Sequence, residues 1–211
     1  MKTRIKICGL TRRHDALLAA ELGADLLGFI FANSPRRITP EKMREIAAGL
    51  PAEILKVGVF VDAPLAEVKE IAASCALDVV QLHGSEDLDY VQSLGGVKVL
   101  KVFRLGSGRK PPESALSSCW ATLFDTWLPE QAGGGGRVFD WQLVKPWAGR
   151  RFFLAGGLTP ENVGTAIADT EPFGVDVSSG VEISPGVKDP EKIRKFIEAV
   201  RNKNNRGEGD G

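Results

Sequence analysis

Arg4-Ile5-Lys6-Ile7-Cys8 alternates polar and apolar side chains without a break. A strand has period two, so Ile5 and Ile7 share one face while Arg4, Lys6 and Cys8 share the other. The same alternation returns in Val80-Gln81-Leu82-His83 and in Val175-Asp176-Val177-Ser178. An open α/β sheet has helices over both faces and no place for such charges. In a closed barrel the apolar set meets the helices and the polar set points into the lumen. The alternation therefore favours a single (β/α)8 TIM barrel over an open doubly wound sheet.

Outward from this stretch, eight strand-like runs recur, at 4–8, 25–31, 55–61, 78–82, 97–103, 121–125, 152–155 and 173–178. The segments between them carry helical stripes. Met43, Ile46, Ala47 and Leu50 fall at i, i+3, i+4 and i+7, and Ile193, Phe196, Ile197 and Val200 repeat the spacing. Thr39-Pro40, Thr159-Pro160 and Asp189-Pro190 each read as an N-cap followed by proline at the first helical position. Eight strands alternating with about eight helices give one domain over residues 1–201, followed by a polar, flexible tail at 202–211.

Composition narrows the function. The 27 basic and 27 acidic side chains cancel, which argues against a general nucleic-acid or acidic-membrane surface. No apolar run reaches the length of a membrane span, and the first residues lack the apolar core of a secretory signal. Cys8, Cys75 and Cys119 are odd in number and lack CxxC spacing, so neither a disulfide framework nor a structural zinc site is expected, and a reducing cytoplasm suits them. His14 and His83 do not form a metal-ligand pair by spacing.

Barrel enzymes carry their reactive groups at the C-terminal ends of the strands. Those ends supply Cys8, Arg36, His83, Arg104, Asp125, Gly156-Gly157 and Ser178-Ser179-Gly180. The loops after the seventh and eighth strands are the usual phosphate site of such a barrel, where glycines let backbone N–H groups approach an anion. Each of these residues also has a plain structural reading. The glycines make ordinary turns, Cys8 a buried thiol, Asp125 a cap or ion pair, and both Arg36 and Arg37 solvated charge. Arg37 is read that way, Arg36 as a fork for a carboxylate, and His83 as a hydrogen-bonded rim residue. The glycine run at 133–136 lacks the P-loop signature and reads as a loop after the sixth strand, a candidate lid.

Taken in order, these motifs resemble the phosphoribosylanthranilate isomerase family of tryptophan biosynthesis. The resemblance rests on Lys6-Ile7-Cys8-Gly9-Leu10-Thr11, Gly28-Phe29-Ile30-Phe31, Ser34-Pro35-Arg36-Arg37, Gln81-Leu82-His83-Gly84, Phe124-Asp125-Thr126, Gly156-Gly157-Leu158-Thr159 and the 176–182 run Asp-Val-Ser-Ser-Gly-Val-Glu. It implies a barrel that converts N-(5-phosphoribosyl)anthranilate to 1-(2-carboxyphenylamino)-1-deoxyribulose 5-phosphate by an Amadori rearrangement. It further implies Cys8 as general base, Asp125 as general acid and Arg36 on the anthranilate carboxylate. His83 joins the substrate contacts, and Gly156, Gly157, Ser178, Ser179 and Gly180 hold the phosphate. The redox change is internal, so no cofactor and no metal is expected. The implied partner is the small-molecule substrate, with the chain a monomer or homodimer. The related histidine-pathway sugar isomerase, which uses aspartate where this chain has Cys8, is the nearest alternative. A barrel that binds an anionic metabolite without turnover is another.

One further expectation follows from alternation. The first and eighth strands adjoin in a closed barrel, so Lys6 and Asp176 should meet inside it as a buried ion pair and hold positive charge near Cys8.

Overall fold

The apolar half of each alternating strand lies buried against helices, as period two requires. Ile5, Ile7, Val80, Leu82 and Val175 are wholly buried. The computed structural model describes residues 2–105, 113–126 and 141–207. In chain order it contains β1 (Arg4–Ile7), α1 (Arg13–Glu21), β2 (Leu26–Ile30), α2 (Pro40–Ala47), β3 (Leu55–Phe60), α3 (Leu65–Ser74), β4 (Val79–Leu82) and α4 (Leu88–Ser93). There follow β5 (Lys98–Leu105), α5 (Glu113–Ser118), β6 (Ala121–Thr126), β7 (Phe152–Leu154), α6 (Val163–Thr170), β8 (Gly174–Val177), β9 (Glu182–Ser184), β10 (Val187–Lys188) and α7 (Pro190–Gly207). Strands β1 to β8 form a closed parallel barrel, with β8 returning to pair with β1. The expected (β/α)8 architecture is the observed one.

Two apolar cores follow from closure. The outer one lies between wall and helices, where Ile193, Phe196, Ile197 and Val200 of α7 pack as the single stripe that their spacing predicts. Burying a side chain of this size contributes about 1.5–3 kcal/mol, an upper figure because unfolded chains already bury some surface. The inner core fills the lumen with Leu26, Val57, Val79, Leu100, Leu123 and Phe153. The expectation of a polar lumen thus holds for β1, β8 and the Gln81 end of β4, while Val79 of β4 and the other strands turn apolar side chains inward. The lumen is a packed core below a polar rim.

The helix starts correct one expectation. Thr39 caps α2 by accepting from the Lys42 N–H at 3.2 Å. The Asp189 carboxylate accepts from Glu191 and Lys192 at the start of α7. Thr159 caps no helix, because α6 begins at Val163. Asn162 holds that segment as a loop, accepting from the Thr159 N–H at 2.8 Å and donating to the Gly157 carbonyl at 2.9 Å. Among the described residues between β6 and β7 there is a 3₁₀ turn at Trp141–Trp147 rather than the expected α-helix, consistent with Pro146 inside it. The last helix runs through Gly207, into the segment expected as a tail. Residues 133–136 lie outside the described residues, as do 208–211.

The hairpin of β9 and β10 was not expected. It pairs Glu182 with Lys188 across its strands. It is seated on the loop after β1 and the first turn of α1, where the Thr11 hydroxyl donates to the Gly186 carbonyl and the Lys188 N–H donates to the Asp15 carboxylate. Among the described residues no helix is long and apolar enough to cross a membrane.

Candidate active site

The C-terminal ends of the strands converge on a cleft of about 330 Å³ whose lining includes Cys8, His83, Asp125, Gly157, Asp176 and Ser179. A larger depression of about 480 Å³, lined by Lys69, Ala73, Leu94 and Val97 among others, holds none of the residues that the sequence nominates.

Cys8 follows β1, its N–H bonded to the Val177 carbonyl at 2.8 Å. Two residues earlier Lys6 is fully buried and its ammonium lies 2.8 Å from the Asp176 carboxylate, the ion pair that alternation predicts. The two residues are register partners on β1 and β8. Burial works against the Lys6 charge, but Asp176 and then Cys8 outweigh it, so the ammonium pKa stands above its ordinary value. Burial pushes the Cys8 thiol up, Lys6 pulls it down, and burial prevails with help from Asp176. The thiol thus lies where burial disfavours its thiolate and a neighbouring cation favours it.

This crowding depends on Gly28 in β2. A Cβ there would lie 2.7 Å from the Cys8 sulfur and 3.1 Å from the Lys6 ammonium. The motif Gly28-Phe29-Ile30-Phe31 was legible, but the reason for its glycine was not.

Across the barrel Asp125 lies near the end of β6, with Arg104 of β5 as its register partner. His83 directly follows β4, its Nε2 3.3 Å from the Asp125 Oδ2 but not directed along a hydrogen bond. The structure therefore gathers Cys8, His83 and Asp125 on one rim from the ends of β1, β4 and β6.

The expected phosphate loops also line the cleft. Gly156 and Gly157 have φ of +84° and +66°, which glycine adopts without strain. Ser179–Val181 forms a short 3₁₀ turn after β8. A Cβ at Gly180 would collide with the Leu158 carbonyl, so the two loops approach backbone to backbone. Among the described residues, the Ser178 hydroxyl and the side-chain amide oxygen of Gln81 are buried without a hydrogen-bond partner, although both residues line the cleft. Buried polar atoms of this kind are ordinarily hydrogen-bonded. Gln81 was read only as an inward-facing residue.

Arg36 is placed differently from the simplest expectation. It is not among the cleft-lining residues. Its Nε lies 2.8 Å and its Nη2 2.6 Å from the two carboxylate oxygens of Glu182. Glu182 also accepts from the Lys188 ammonium at 2.8 Å and the Gly186 N–H at 3.2 Å. Burial opposes the charge on Glu182, yet the bonds from Arg36 and Lys188 hold its carboxyl down at about 2. The two partners do not mirror each other, since burial draws the Lys188 pKa below its ordinary value despite Glu182. Glu182 has two cations, whereas Lys188 shares one carboxylate with Arg36 and feels its repulsion. Neither Glu182 nor Lys188 was read as a functional residue. Arg37 is exposed, as expected.

The matches with known proteins agree with this geometry. Residues 5–199 match the family model described as N-(5'phosphoribosyl)anthranilate (PRA) isomerase. An N-(5'-phosphoribosyl)anthranilate isomerase of Syntrophus aciditrophicus is 47% identical over 94% of this chain and 87% of its own length. The crystal structure of the phosphoribosyl anthranilate isomerase of Thermotoga maritima superposes with a TM-score of 0.87 at 41% identity, covering 95% of this chain and 99% of that one. A phosphoribosyl anthranilate isomerase in complex with reduced 1-(o-carboxyphenylamino)-1-deoxyribulose 5-phosphate gives 0.82 at 38% identity, with the same coverage. A barrel with this rim, matched along nearly its whole length, belongs to the N-(5'-phosphoribosyl)anthranilate isomerase family.

Proposed function

We propose that Cys8 and Asp125 are the base and acid with which this chain isomerises N-(5'-phosphoribosyl)anthranilate, the family's step in tryptophan biosynthesis. The observation that carries this reading is their placement. A thiol beside a buried ammonium and a carboxyl beside His83 line one cleft from β1 and β6, on either side of where a substrate would lie.

The chemistry asks for these groups. Protonated Asp125 donates to the ribose ring oxygen, the ring opens, and the anthranilate nitrogen carries the resulting iminium. The Cys8 thiolate then removes the C2′ proton, giving an enolamine that tautomerises to the ketone. C1′ is reduced and C2′ oxidised within one molecule, so the electrons balance without an external donor. The Lys6 ammonium keeps the thiolate within reach of an otherwise burial-dominated site. Gly156, Gly157 and the turn at Ser178, Ser179 and Gly180 bind the phosphate through backbone N–H groups and the unpartnered Ser178 hydroxyl. His83 contacts the substrate next to Asp125, and Arg36 meets the anthranilate carboxylate.

Turnover of phosphoribosylanthranilate by the purified chain tests the reading. Conversion to the aminoketose is expected, and binding without conversion would sink the roles of Cys8 and Asp125.

A further inference from the structure

We propose that Glu182, paired across its hairpin with Lys188, is a positioning residue that decides which edge of the Arg36 guanidinium meets the substrate carboxylate. The inference rests on the reading of Arg36 as the carboxylate contact.

A guanidinium offers a carboxylate two bidentate edges, one made by Nε and Nη2 and one by Nη1 and Nη2. Glu182 takes the first, through Nε at 2.8 Å and Nη2 at 2.6 Å. The edge containing Nη1 is not part of that contact, so a second carboxylate can be received without displacing the first. The stem of Arg36 is confined as well. Gly9 packs against it so closely that a Cβ there would lie 2.6 Å from the Arg36 Cδ. Backbone on one side and Glu182 on the other fix both the position and the rotation of the fork.

The charges suit this role. One buried carboxylate stands between two cations, leaving the cluster with a single positive charge to offer to an anion. Lys188 is fully buried and does two jobs with one ammonium, bonding Glu182 at 2.8 Å and the Ser178 carbonyl at 3.1 Å. Ser178 begins the turn proposed to hold the phosphate. The anchor of Arg36 and the phosphate loop thus share one buried lysine, which sets the span between the two anionic ends of the substrate.

The test compares two ligands, reduced 1-(o-carboxyphenylamino)-1-deoxyribulose 5-phosphate and the same molecule without its carboxyl group. The ratio of their dissociation constants isolates the carboxylate contact. Arg36→Ala is expected to bring that ratio close to one, and an unchanged ratio would remove the reading of Arg36 and this inference with it. Once Arg36→Ala behaves as expected, Glu182→Gln decides the inference alone. The ratio should then fall about ten-fold while the carboxyl-free ligand keeps its affinity within about two-fold. In turnover, KM should rise by a similar factor with kcat held. Glu182→Asp keeps the charge but reaches one methylene less far, so it should fall between, and it stands in should Glu182→Gln not fold. An unchanged ratio, or equal weakening of both ligands, overturns the proposal.

Discussion

Lys6 and Asp176 sit opposite each other in register on β1 and β8, and their side chains meet at 2.8 Å inside the barrel, one inward step below Cys8. The pair closes the seam between the first and last strands of the wall. It also sets the electrostatic surroundings of the thiol, so a single contact bears on stability and on reactivity.

Lys6→Met should separate those two effects. Removing one partner of a buried pair typically costs about 3–5 kcal/mol, because the other charge stays behind. The urea midpoint should fall accordingly, and the double variant Lys6→Met with Asp176→Asn should recover most of the loss. The raised Lys6 pKa gives the sign of the pH dependence. Its contribution is fully present below the unfolded value and is lost as pH rises through the folded one. In the wild type, iodoacetamide should alkylate Cys8 with an apparent pKa above that of a free thiol, and Lys6→Met should move it higher. A Cys8 pKa at or below the ordinary value would contradict the dominance of burial.

Cys8→Ala and Asp125→Asn should each lower kcat by at least about a hundred-fold, the lower end of what a positioned acid or base contributes. Steady-state turnover at constant folded fraction checks this, with circular dichroism as the control. Near-normal kcat in either variant would show that the group does not move the proton assigned to it.

Glu182 predicts an acid limit. Its carboxyl falls from an ordinary 4.5 to about 2 in the folded chain, so it stabilises above the unfolded value and ceases to do so as pH falls toward 2. At 1.36 kcal/mol per unit the difference amounts to about 3 kcal/mol. Urea titrations of wild type and Glu182→Gln should differ most near pH 7 and converge as pH falls toward about 2. A gap that stayed constant over this range would count against the ion cluster as its source.

Gly28→Ala should damage site and fold together. The added methyl would press on the Cys8 sulfur and the Lys6 ammonium, and overpacking of this kind costs about 1–3 kcal/mol. Lower Tm with lower kcat is the expected result. A variant as active and as stable as wild type would mean that β2 can shift away.

Much of this molecule was legible because strands carry their burial pattern in period two and helices in period 3.6. The runs at 4–8 and 173–178 locate β1 and β8, and alternation together with closure of the barrel pairs Lys6 with Asp176. The hairpin was not legible, because two strands of three and two residues cannot display a period, and Ile183 between its charged partners is 68% exposed. Its one local signal was Ser184-Pro185-Gly186, a turn between the two. Thr159-Pro160 misled for the opposite reason, since the local cap signal was sound but Asn162 bonds across the loop and delays the helix. The partner of Arg36 lies 146 residues away in Glu182, a proximity that only closure of the barrel creates. The family resemblance supplied roles for Cys8 and Asp125, but not what holds Arg36.

The hairpin also gives the site a place in the order of synthesis. Its seat is on Thr11 and Asp15, whose partners in the hairpin are Gly186 and Lys188. A nascent chain that has emerged only as far as β8 already carries Cys8, Asp125 and the strands of a closed wall. It lacks Glu182, which bonds Arg36, and Lys188, which bonds both that carboxylate and the Ser178 carbonyl. The two charges that anchor Arg36 thus follow all eight wall strands in the chain, and only α7 is synthesised after them.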